Sequence, residues 1–151
     1  MELNHLKILL ADDDKDDCIF FKAAVNDLIP SANLTTVNDG EQLMQLLTTK
    51  ASTLPHVLFL DLNMPRKNGF ECLSEIKLDK KLREIIVVVY STSFEQEVVN
   101  QLYQDGAHFF IRKPAEFLQF KKIIQQTLKL IARGKIPQPT RENFVLTVQT
   151  I

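Results

Sequence analysis

Three runs of apolar residues place the strongest constraint on the fold of this chain. They are "LKILLA" at residues 6–11, "HVLFLD" at 56–61 and "IIVVVYS" at 85–91, and each is almost continuously apolar over the length of a strand. A strand with one face in water alternates apolar and polar side chains, whereas a continuous apolar run is typical of a strand buried on both faces of a parallel sheet. The pattern therefore predicts a parallel sheet that is covered on both sides.

Helical segments separate these runs. Two further short runs, "LTTV" at 34–37 and "HFFI" at 108–111, bring the number of predicted strands to five. After each strand, apolar residues recur at helical spacing, and Asp39 is the expected N-cap of the second helix. Five strand-then-helix units in series predict a doubly wound, flavodoxin-like α/β fold, in which a five-stranded parallel sheet is flanked by five helices. Ligands of such folds bind at the carboxyl ends of the strands.

The charged residues nearly balance, with 18 Lys and Arg against 19 Asp and Glu. No global field would attract nucleic acid or an anionic membrane surface, so neither partner is expected. Cys18 and Cys72 lie far apart and show no zinc or disulfide spacing. The N-terminus has no signal-peptide pattern, and no apolar run approaches the ~18 residues of a membrane span. We therefore expect a soluble, cytoplasmic protein.

Polar residues follow the predicted strands where each strand ends. Asp12 and Asp13 follow the first strand, Asp61 ends the third, Ser91 ends the fourth, and Lys113 follows the fifth. The carboxyl ends of parallel strands share one edge of the sheet, so these side chains are expected to converge there. N-capping of the first helix is an alternative explanation of the aspartate run. A cap needs only one carboxylate, however, and Asp14 or Asp16 is placed to supply it.

The converging charges indicate a metal site. Asp12, Asp13 and Asp61 carry three negative charges, which a divalent cation and Lys113 would balance. Magnesium prefers such oxygen ligands, and manganese is a plausible substitute. Beside the cation, Asp61 has the properties of a carboxylate nucleophile toward phosphorus, and the product would be an aspartyl phosphate. The hydroxyl of Ser91 would donate to a phosphoryl oxygen, although a serine after a strand often serves only a turn.

Four sequence blocks together resemble the motifs of response-regulator receiver domains, and their order and spacing match from about residue 5 to residue 132. The resemblance implies that Asp61 accepts a phosphoryl group from a sensor histidine kinase or a phosphotransfer protein. It further implies a signalling protein rather than an enzyme, with slow autodephosphorylation at most. The blocks are "LLADDD", "LFLDLNMPRKNGFE", "VVVYSTS" and "GAHFFIRKP".

Carried over residue by residue, the resemblance assigns roles to the remaining polar groups. Asp12 and Asp13 match the acidic pair of the family's metal site, and the backbone carbonyl of Asn63 matches the third protein ligand. Ser91 matches the switch hydroxyl, and Lys113 matches the lysine that pairs with the phosphate. The blocks are most similar to stand-alone receivers that serve phytochrome-like histidine kinases.

The resemblance also implies a switch and a surface that reports it. The family's rotating aromatic corresponds to Phe110, which lacks the hydroxyl of the tyrosine that many members carry. Plain core packing is the alternative role for this ring. The expected readout surface comprises the fourth helix, the fifth strand and the fifth helix, including Glu95, Gln96, Phe109 and Gln119. An unknown downstream protein would bind there.

The domain organisation follows from the end of the fifth helix. We expect a receiver domain over residues 1–134 and a C-terminal tail over 135–151 that is too short for a separate output domain. The tail is expected either to be disordered or to add a strand to a sheet edge of another protomer. A weak homodimer is also expected, through apolar side chains that the sheet core cannot all accommodate. Those side chains are Phe109, Ile111 and Leu118.

Three other functions remain open at this stage. A receiver-like docking module would never be phosphorylated, and it would typically have lost an acidic or lysine position, which this chain retains. An aspartyl-phosphate phosphohydrolase resembles a pattern with a second aspartate two residues after the nucleophile, where this chain has Asn63. A flavin-binding electron carrier would need a phosphate loop after the first strand, where the aspartates would repel phosphate.

Overall fold

The structure is a computed structural model, and it describes residues 3–49, 54–134 and 136–148. Helices and strands alternate along the chain, as the apolar pattern predicts. Three single turns of 3-10 helix lie at Leu3–His5, Leu82–Glu84 and Arg141–Asn143. The strands are β1 (Lys7–Ala11), β2 (Asn33–Val37), β3 (Val57–Asp61), β4 (Ile86–Ser91), β5 (Phe109–Arg112) and β6 (Val145–Leu146); the helices are α1 (Lys15–Leu28), α2 (Gly40–Thr48), α3 (Gly69–Leu78), α4 (Gln96–Gln104) and α5 (Phe117–Ile131).

The strands form one parallel sheet in the order β2-β1-β3-β4-β5-β6. The doubly wound fold and its five predicted strands are confirmed, and β6 is an addition at the outer edge of β5. The chain runs outward from β1 to β2 and then crosses back to β3, so the order reverses between β1 and β3. A reversal of this kind opens a crevice at the carboxyl ends of the strands.

The sheet is buried on both faces. Leu9, Leu58 and Val87 point toward the layer of α2, α3 and α4, whereas Ile8 and Phe59 point toward α1 and α5. All five side chains are at most 2% exposed. This alternation across a strand explains why the sequence of each central strand is apolar at nearly every position.

The structure contradicts the expected exposure of apolar side chains on β5. Phe109 and Ile111 are 3% and 1% exposed, and both belong to the core under α1 and α5. Residues two apart share a face of a strand, and Phe110 is fully buried on the opposite face because that face is covered as well. Phe109 therefore lies outside any readout surface, and of the three proposed contact residues only Leu118 is exposed.

The C-terminal tail packs against its own domain. Val145 and Leu146 pair with β5, and the N–H of Phe110 donates to the carbonyl oxygen of Phe144 at 3.0 Å. Phe144 is fully buried, and its ring centroid lies 5.1 Å from that of Tyr103.

Neither expectation for the tail holds over its described part. The segment is ordered, and it adds its strand to the sheet of the same chain because the open edge of β5 lies within reach and pairing there needs no second molecule. Two hydrogen bonds fix the segment before β6 to the domain. The Tyr103 hydroxyl donates to the carbonyl of Pro139 at 2.8 Å, and the Gln138 amide donates to the carbonyl of Ala107 at 2.9 Å. Residue 135 and residues 149–151 lie outside the described residues.

Two histidine side chains add hydrogen bonds between neighbouring strands at the amino ends of β3 and β5. Nδ1 of His56 accepts the N–H of Lys7 at 2.9 Å, and Nδ1 of His108 accepts the N–H of Val87 at 3.2 Å. An accepting nitrogen carries no proton, so both rings fold in the neutral form. Burial and the nearby Lys77 ammonium lower the pKa of His108 to about 4, and burial also lowers the pKa of His56.

Acidification is expected to destabilise the fold through His108. Below a pH of about 6.5 the unfolded chain binds a proton that the folded ring does not accept until about pH 4, so stability falls between these values by about 3 kcal/mol and is unaffected above them. His108→Asn keeps an acceptor for the Val87 N–H without a titrating group. Urea unfolding at pH 7.5 and pH 4.5 should show a smaller loss in this variant than in wild type or in the exposed-site control His5→Asn. Equal losses in all three proteins would contradict this assignment.

Candidate functional site

Four strand ends meet at the crevice between β1 and β3. Asp12 directly follows β1, Asp61 is the last residue of β3, and Ser91 is the last residue of β4. The backbone N–H of Lys113, just after β5, donates to the carbonyl of Ser91 at 2.8 Å. The parallel sheet thus delivers residues that are distant in sequence to one edge.

Three carboxylates at this edge form a candidate cation site. Asp12, Asp13 and Asp61 each offer an oxygen, and these oxygens all lie within 4.8 Å of one another. Asp12 is fully buried and Asp61 is 5% exposed, whereas Asp13 is exposed to solvent. Such an all-oxygen set, open to water on one side, fits a hard divalent cation that keeps part of its hydration shell.

Lys113 is the cation that the chain itself supplies to this site. Its Nζ lies 3.2 Å from Oδ2 of Asp12 and 3.6 Å from Oδ1 of Asp61, and its side chain is only 6% exposed. Its shortest ion pair, at 2.8 Å, joins Nζ to Oδ2 of Asp17. Lys113 is therefore shared among three carboxylates.

Sequence reasoning assigned no role to Asp17. Asp17 stands in the first turn of α1, four residues before the buried Phe21, so it lies on the helix face that packs against the sheet. The signal in the sequence was the position of Asp17 on the same helix face as the buried apolar residues of α1. Asp14 is the N-cap of α1, because its Oδ1 accepts the backbone N–H groups of Asp16 at 2.9 Å and Asp17 at 3.1 Å. Capping therefore explains Asp14 but not Asp12 and Asp13, which remain available for the cation site.

The crowded carboxylates change the proton affinity of the site. Burial raises the pKa of Asp61 to about 7, the Asp12 charge adds to this effect, and the Lys113 ammonium opposes it. For Lys113, burial lowers the pKa, but the carboxylates of Asp17, Asp12 and Asp61 outweigh burial and leave the pKa raised. The ammonium is therefore charged at neutral pH, and a cation that binds the ionised carboxylates would displace the proton of Asp61.

The loop after β3 is fixed close to Asp61. A Cβ added to Gly69 would lie 2.5 Å from the carbonyl oxygen of Asp61, so only glycine allows this approach of α3. Asn68 and Glu71 form a capping box at the start of the same helix. Asn63, within this loop, donates its N–H toward Oδ1 of Asp61 at 3.5 Å, and the ligand role of its carbonyl stays a prediction.

Ser91 on β4 and Phe110 on β5 are both fully buried. The Ser91 Oγ accepts the N–H of Ser93 at 3.2 Å, which uses a lone pair and leaves the hydroxyl proton available to donate. The Phe110 ring lies 5.8 Å from the ring of Phe94 and packs in the same cluster as Phe144. Its position fits core packing, and its role in switching stays a prediction.

Comparison with known proteins identifies the family. The model of the response regulator receiver domain matches residues 8–125, and the chain belongs to this family. Response regulator Rcp1 of Synechocystis sp. is 30% identical over 122 residues, which cover 78% of this chain and 83% of that protein. A probable methanogenesis regulatory protein, FilR2 of Methanothrix harundinacea, is 28% identical over 122 residues, or 79% of each chain.

Solved structures agree with this identification. The phosphorylated cyanobacterial phytochrome response regulator RcpA superposes with a TM-score of 0.80 at 31% identity, covering 84% of this chain and 94% of its own. The Mn²⁺-bound form of Rcp1 gives a TM-score of 0.77 at 27% identity, covering 89% of this chain and 99% of its own.

Among the described residues, no helix has both the length and the apolar character needed to cross a membrane.

Proposed function

We propose that this protein accepts a phosphoryl group on Asp61 from a sensor histidine kinase or a phosphotransfer protein and thereby changes a surface that another protein reads. One observation carries the proposal. Asp61 ends a buried strand with its oxygens beside those of Asp12 and Asp13, and Lys113 Nζ lies 3.6 Å away. A nucleophile, an acidic cation site and a fixed ammonium are the parts that phosphoryl transfer requires.

Magnesium is the proposed metal, with manganese as a substitute. Asp12, Asp13, Asp61 and the Asn63 carbonyl are the proposed ligands, and the Mn²⁺-bound structure of Rcp1 supports a divalent cation in a similar protein. The bound cation would supply positive charge next to the transferring phosphoryl oxygens. The protein's own contribution is to hold the ionised carboxylates together against their mutual repulsion.

In the proposed transfer, an Asp61 oxygen forms a bond to phosphorus while the P–N bond of a phosphohistidine breaks. The bonding electron pair leaves with the imidazole nitrogen of the donor, and Lys113 stabilises the phosphoryl oxygens. The Ser91 hydroxyl then donates to one of these oxygens and draws the end of β4 toward Asp61. The structure of phosphorylated RcpA supports the phosphorylation itself, because RcpA is similar to this chain. The proposed location of the protein is the cytoplasm, where the free thiols of Cys18 and Cys72 would stay reduced.

The same geometry disfavours rapid turnover. A phosphohydrolase would need a general acid near Asp61, whereas the amide of Asn63 cannot donate a proton to a leaving group. The acyl phosphate is therefore expected to persist and to hydrolyse slowly. The docking-module alternative lacks support from the site, because Asp61 and Lys113 are both in place.

The proposed readout surface lies on α4, α5 and Arg112 at the exposed end of β5, and the tail covers part of it. Arg141 Nε donates to Oδ1 of Asn100 on α4 at 2.8 Å, and Gln126 Nε2 on α5 donates to the carbonyl of Thr147 at 3.0 Å. A downstream protein would therefore contact the tail as well as the helices. Homodimerisation through this face would first require the tail to move.

Incubation with acetyl phosphate and Mg²⁺, followed by intact mass measurement, tests the proposed function. Wild type should gain one phosphoryl group, and Asp61→Asn should gain none because an amide is not a nucleophile toward phosphorus. Asp27→Asn is the control, since Asp27 pairs with Lys121 at 2.7 Å on the surface of the protein. Absence of an adduct on wild type with either Mg²⁺ or Mn²⁺, or an undiminished adduct on Asp61→Asn, would refute the proposal.

A further inference from the structure

The ring of Tyr90 packs against aromatic side chains in the core. The residue is fully buried next to Ser91 on β4, and its side chain points to the opposite face, toward α1 and α5. The rings of Phe21, Phe59 and Phe120 surround it at centroid distances of 6.2, 6.5 and 6.4 Å. Phenylalanine would satisfy this packing, so the hydroxyl needs a separate explanation.

The partner of that hydroxyl is a carboxylate of the cation site. Tyr90 donates to Oδ2 of Asp12, and Lys113 Nζ lies 3.2 Å from the same oxygen. The other oxygen, Oδ1, accepts the N–H of Asp14 at 2.9 Å. Lys113 Nζ also lies 4.3 Å from the centroid of the Tyr90 ring, so the tyrosine contacts both a carboxylate and the ammonium of the site.

These contacts determine which part of Asp12 remains for a ligand. A carboxylate oxygen has about two lone pairs, and those of Oδ2 are taken by the tyrosine hydroxyl and the ammonium. Oδ1 has one donor and keeps one lone pair. We propose that Tyr90 is a positioning residue that orients Asp12 so that only Oδ1 serves the bound cation, directly or through water. The inference rests on the proposed function, because it assigns the cation site to Asp12, Asp13 and Asp61.

The position of Tyr90 in the chain gives the contact a second consequence. Tyr90 and Ser91 are consecutive, so a movement of the strand end that brings Ser91 toward Asp61 also moves the tyrosine hydroxyl relative to Asp12. The end of β4 therefore contacts the candidate cation site through one side chain and the proposed phosphoryl site through the next. The environment of the Tyr90 phenol is expected to change both when metal binds and when the phosphoryl group arrives.

Tyr90→Phe isolates the hydroxyl because it keeps the ring. Groups that orient a metal ligand typically account for 10- to 100-fold in metal affinity, and we expect a loss of about tenfold in Mg²⁺ affinity by titration calorimetry. Phosphorylation by acetyl phosphate should therefore reach half of its maximal rate at a Mg²⁺ concentration about tenfold higher than in wild type. Tyr103→Phe is the matched control, since Tyr103 is the chain's other tyrosine and its hydroxyl donates to the tail carbonyl of Pro139.

Tyrosine emission provides a readout that does not depend on activity. The chain has two tyrosines and no tryptophan, so Tyr103→Phe leaves Tyr90 as the one aromatic residue that dominates emission. Mg²⁺ alone, and then beryllofluoride with Mg²⁺, should change the emission of Tyr103→Phe. The emission of Tyr90→Phe should not respond to Mg²⁺.

The outcomes separate this inference from the proposed function. Unchanged Mg²⁺ affinity in Tyr90→Phe, with or without a lower rate at saturating Mg²⁺, would overturn the positioning role and would indicate that the ring only packs. An unresponsive Tyr90 signal would overturn the role as well. Failure of wild type to accept a phosphoryl group would instead overturn the proposed function, while weakened metal binding in Tyr90→Phe would still support the contact with Asp12.

Discussion

Lys113→Met is expected to slow phosphorylation by acetyl phosphate about 10²- to 10³-fold at saturating Mg²⁺, the usual cost of removing one fixed donor from a developing anion. Lys113 Nζ is 3.6 Å from Asp61 Oδ1, and its side chain is only 6% exposed. Solvent therefore has little access to this position and cannot compensate for the loss of the ammonium. Methionine fills a similar volume without the ammonium, which limits the change to electrostatics. The initial rate, followed by intact mass, measures the effect.

The pH dependence should change together with the rate. Burial raises the pKa of Asp61 to about 7, and the Lys113 ammonium opposes this rise. The pKa of Asp61 should therefore rise further in Lys113→Met. Phosphorylation at limiting Mg²⁺ should increase as the pH rises through about 7 in wild type, and through a higher pH in the variant. Lys121→Met removes a lysine from an ion pair with Asp27 and should match wild type. A wild-type rate in Lys113→Met would exclude the proposed role of the ammonium.

Phe144→Ala is expected to destabilise the protein by about 3–5 kcal/mol, the usual cost of truncating a buried phenylalanine. Phe144, within the tail, is fully buried and packs against Tyr103, and its carbonyl accepts the N–H of Phe110. The exposed neighbour Glu142 provides the control, Glu142→Ala, which should unfold as wild type does. Urea denaturation of the full-length chain measures both, and equal midpoints for Phe144→Ala and wild type would contradict the packed tail.

The same substitution tests the link between the tail and self-association. Loosening the tail uncovers the edge of β5 and the apolar surface around Tyr103, and an uncovered strand edge with an apolar surface promotes association. Sedimentation velocity with beryllofluoride and Mg²⁺ should therefore show a homodimer at lower protein concentration for Phe144→Ala than for wild type. If Phe144→Ala stays monomeric at concentrations where wild type dimerises, the tail cannot be the cover of the dimer interface.

The sequence was sufficient for the central strands and for the main charges of the site. Runs such as 56–61 are apolar because β3 is buried on both faces, so local composition reports the environment directly. Asp61 and Lys113 follow from the same logic, since a charged residue directly after a buried strand must lie at the sheet edge. The β-then-α repeat then places both at one edge without any knowledge of packing.

The remaining features depend on tertiary contacts that leave little local pattern. Asp17 reaches Lys113 only because of how α1 lies on the sheet, and the Tyr90 hydroxyl on β4 contacts Asp12 after β1, across the intervening strand β3. The two-residue strand β6 is too short to show a period, and the pocket of Phe144 is made by residues of other elements that its own segment does not specify. Phe109 was misplaced because the cover over β5 was not evident from β5 itself.

Identification of the acceptor side chain tests the central claim most directly. Wild type treated with acetyl phosphate and Mg²⁺ can be reduced with borohydride, which marks the carboxylate that carried the acyl phosphate, and the mark can be located by peptide mass spectrometry. Our account predicts a mark on Asp61 alone, because Asp61 is the site carboxylate that ends a buried strand. A mark on Asp12, Asp13 or Asp17, or no mark on a protein that gained the phosphoryl mass, would contradict it.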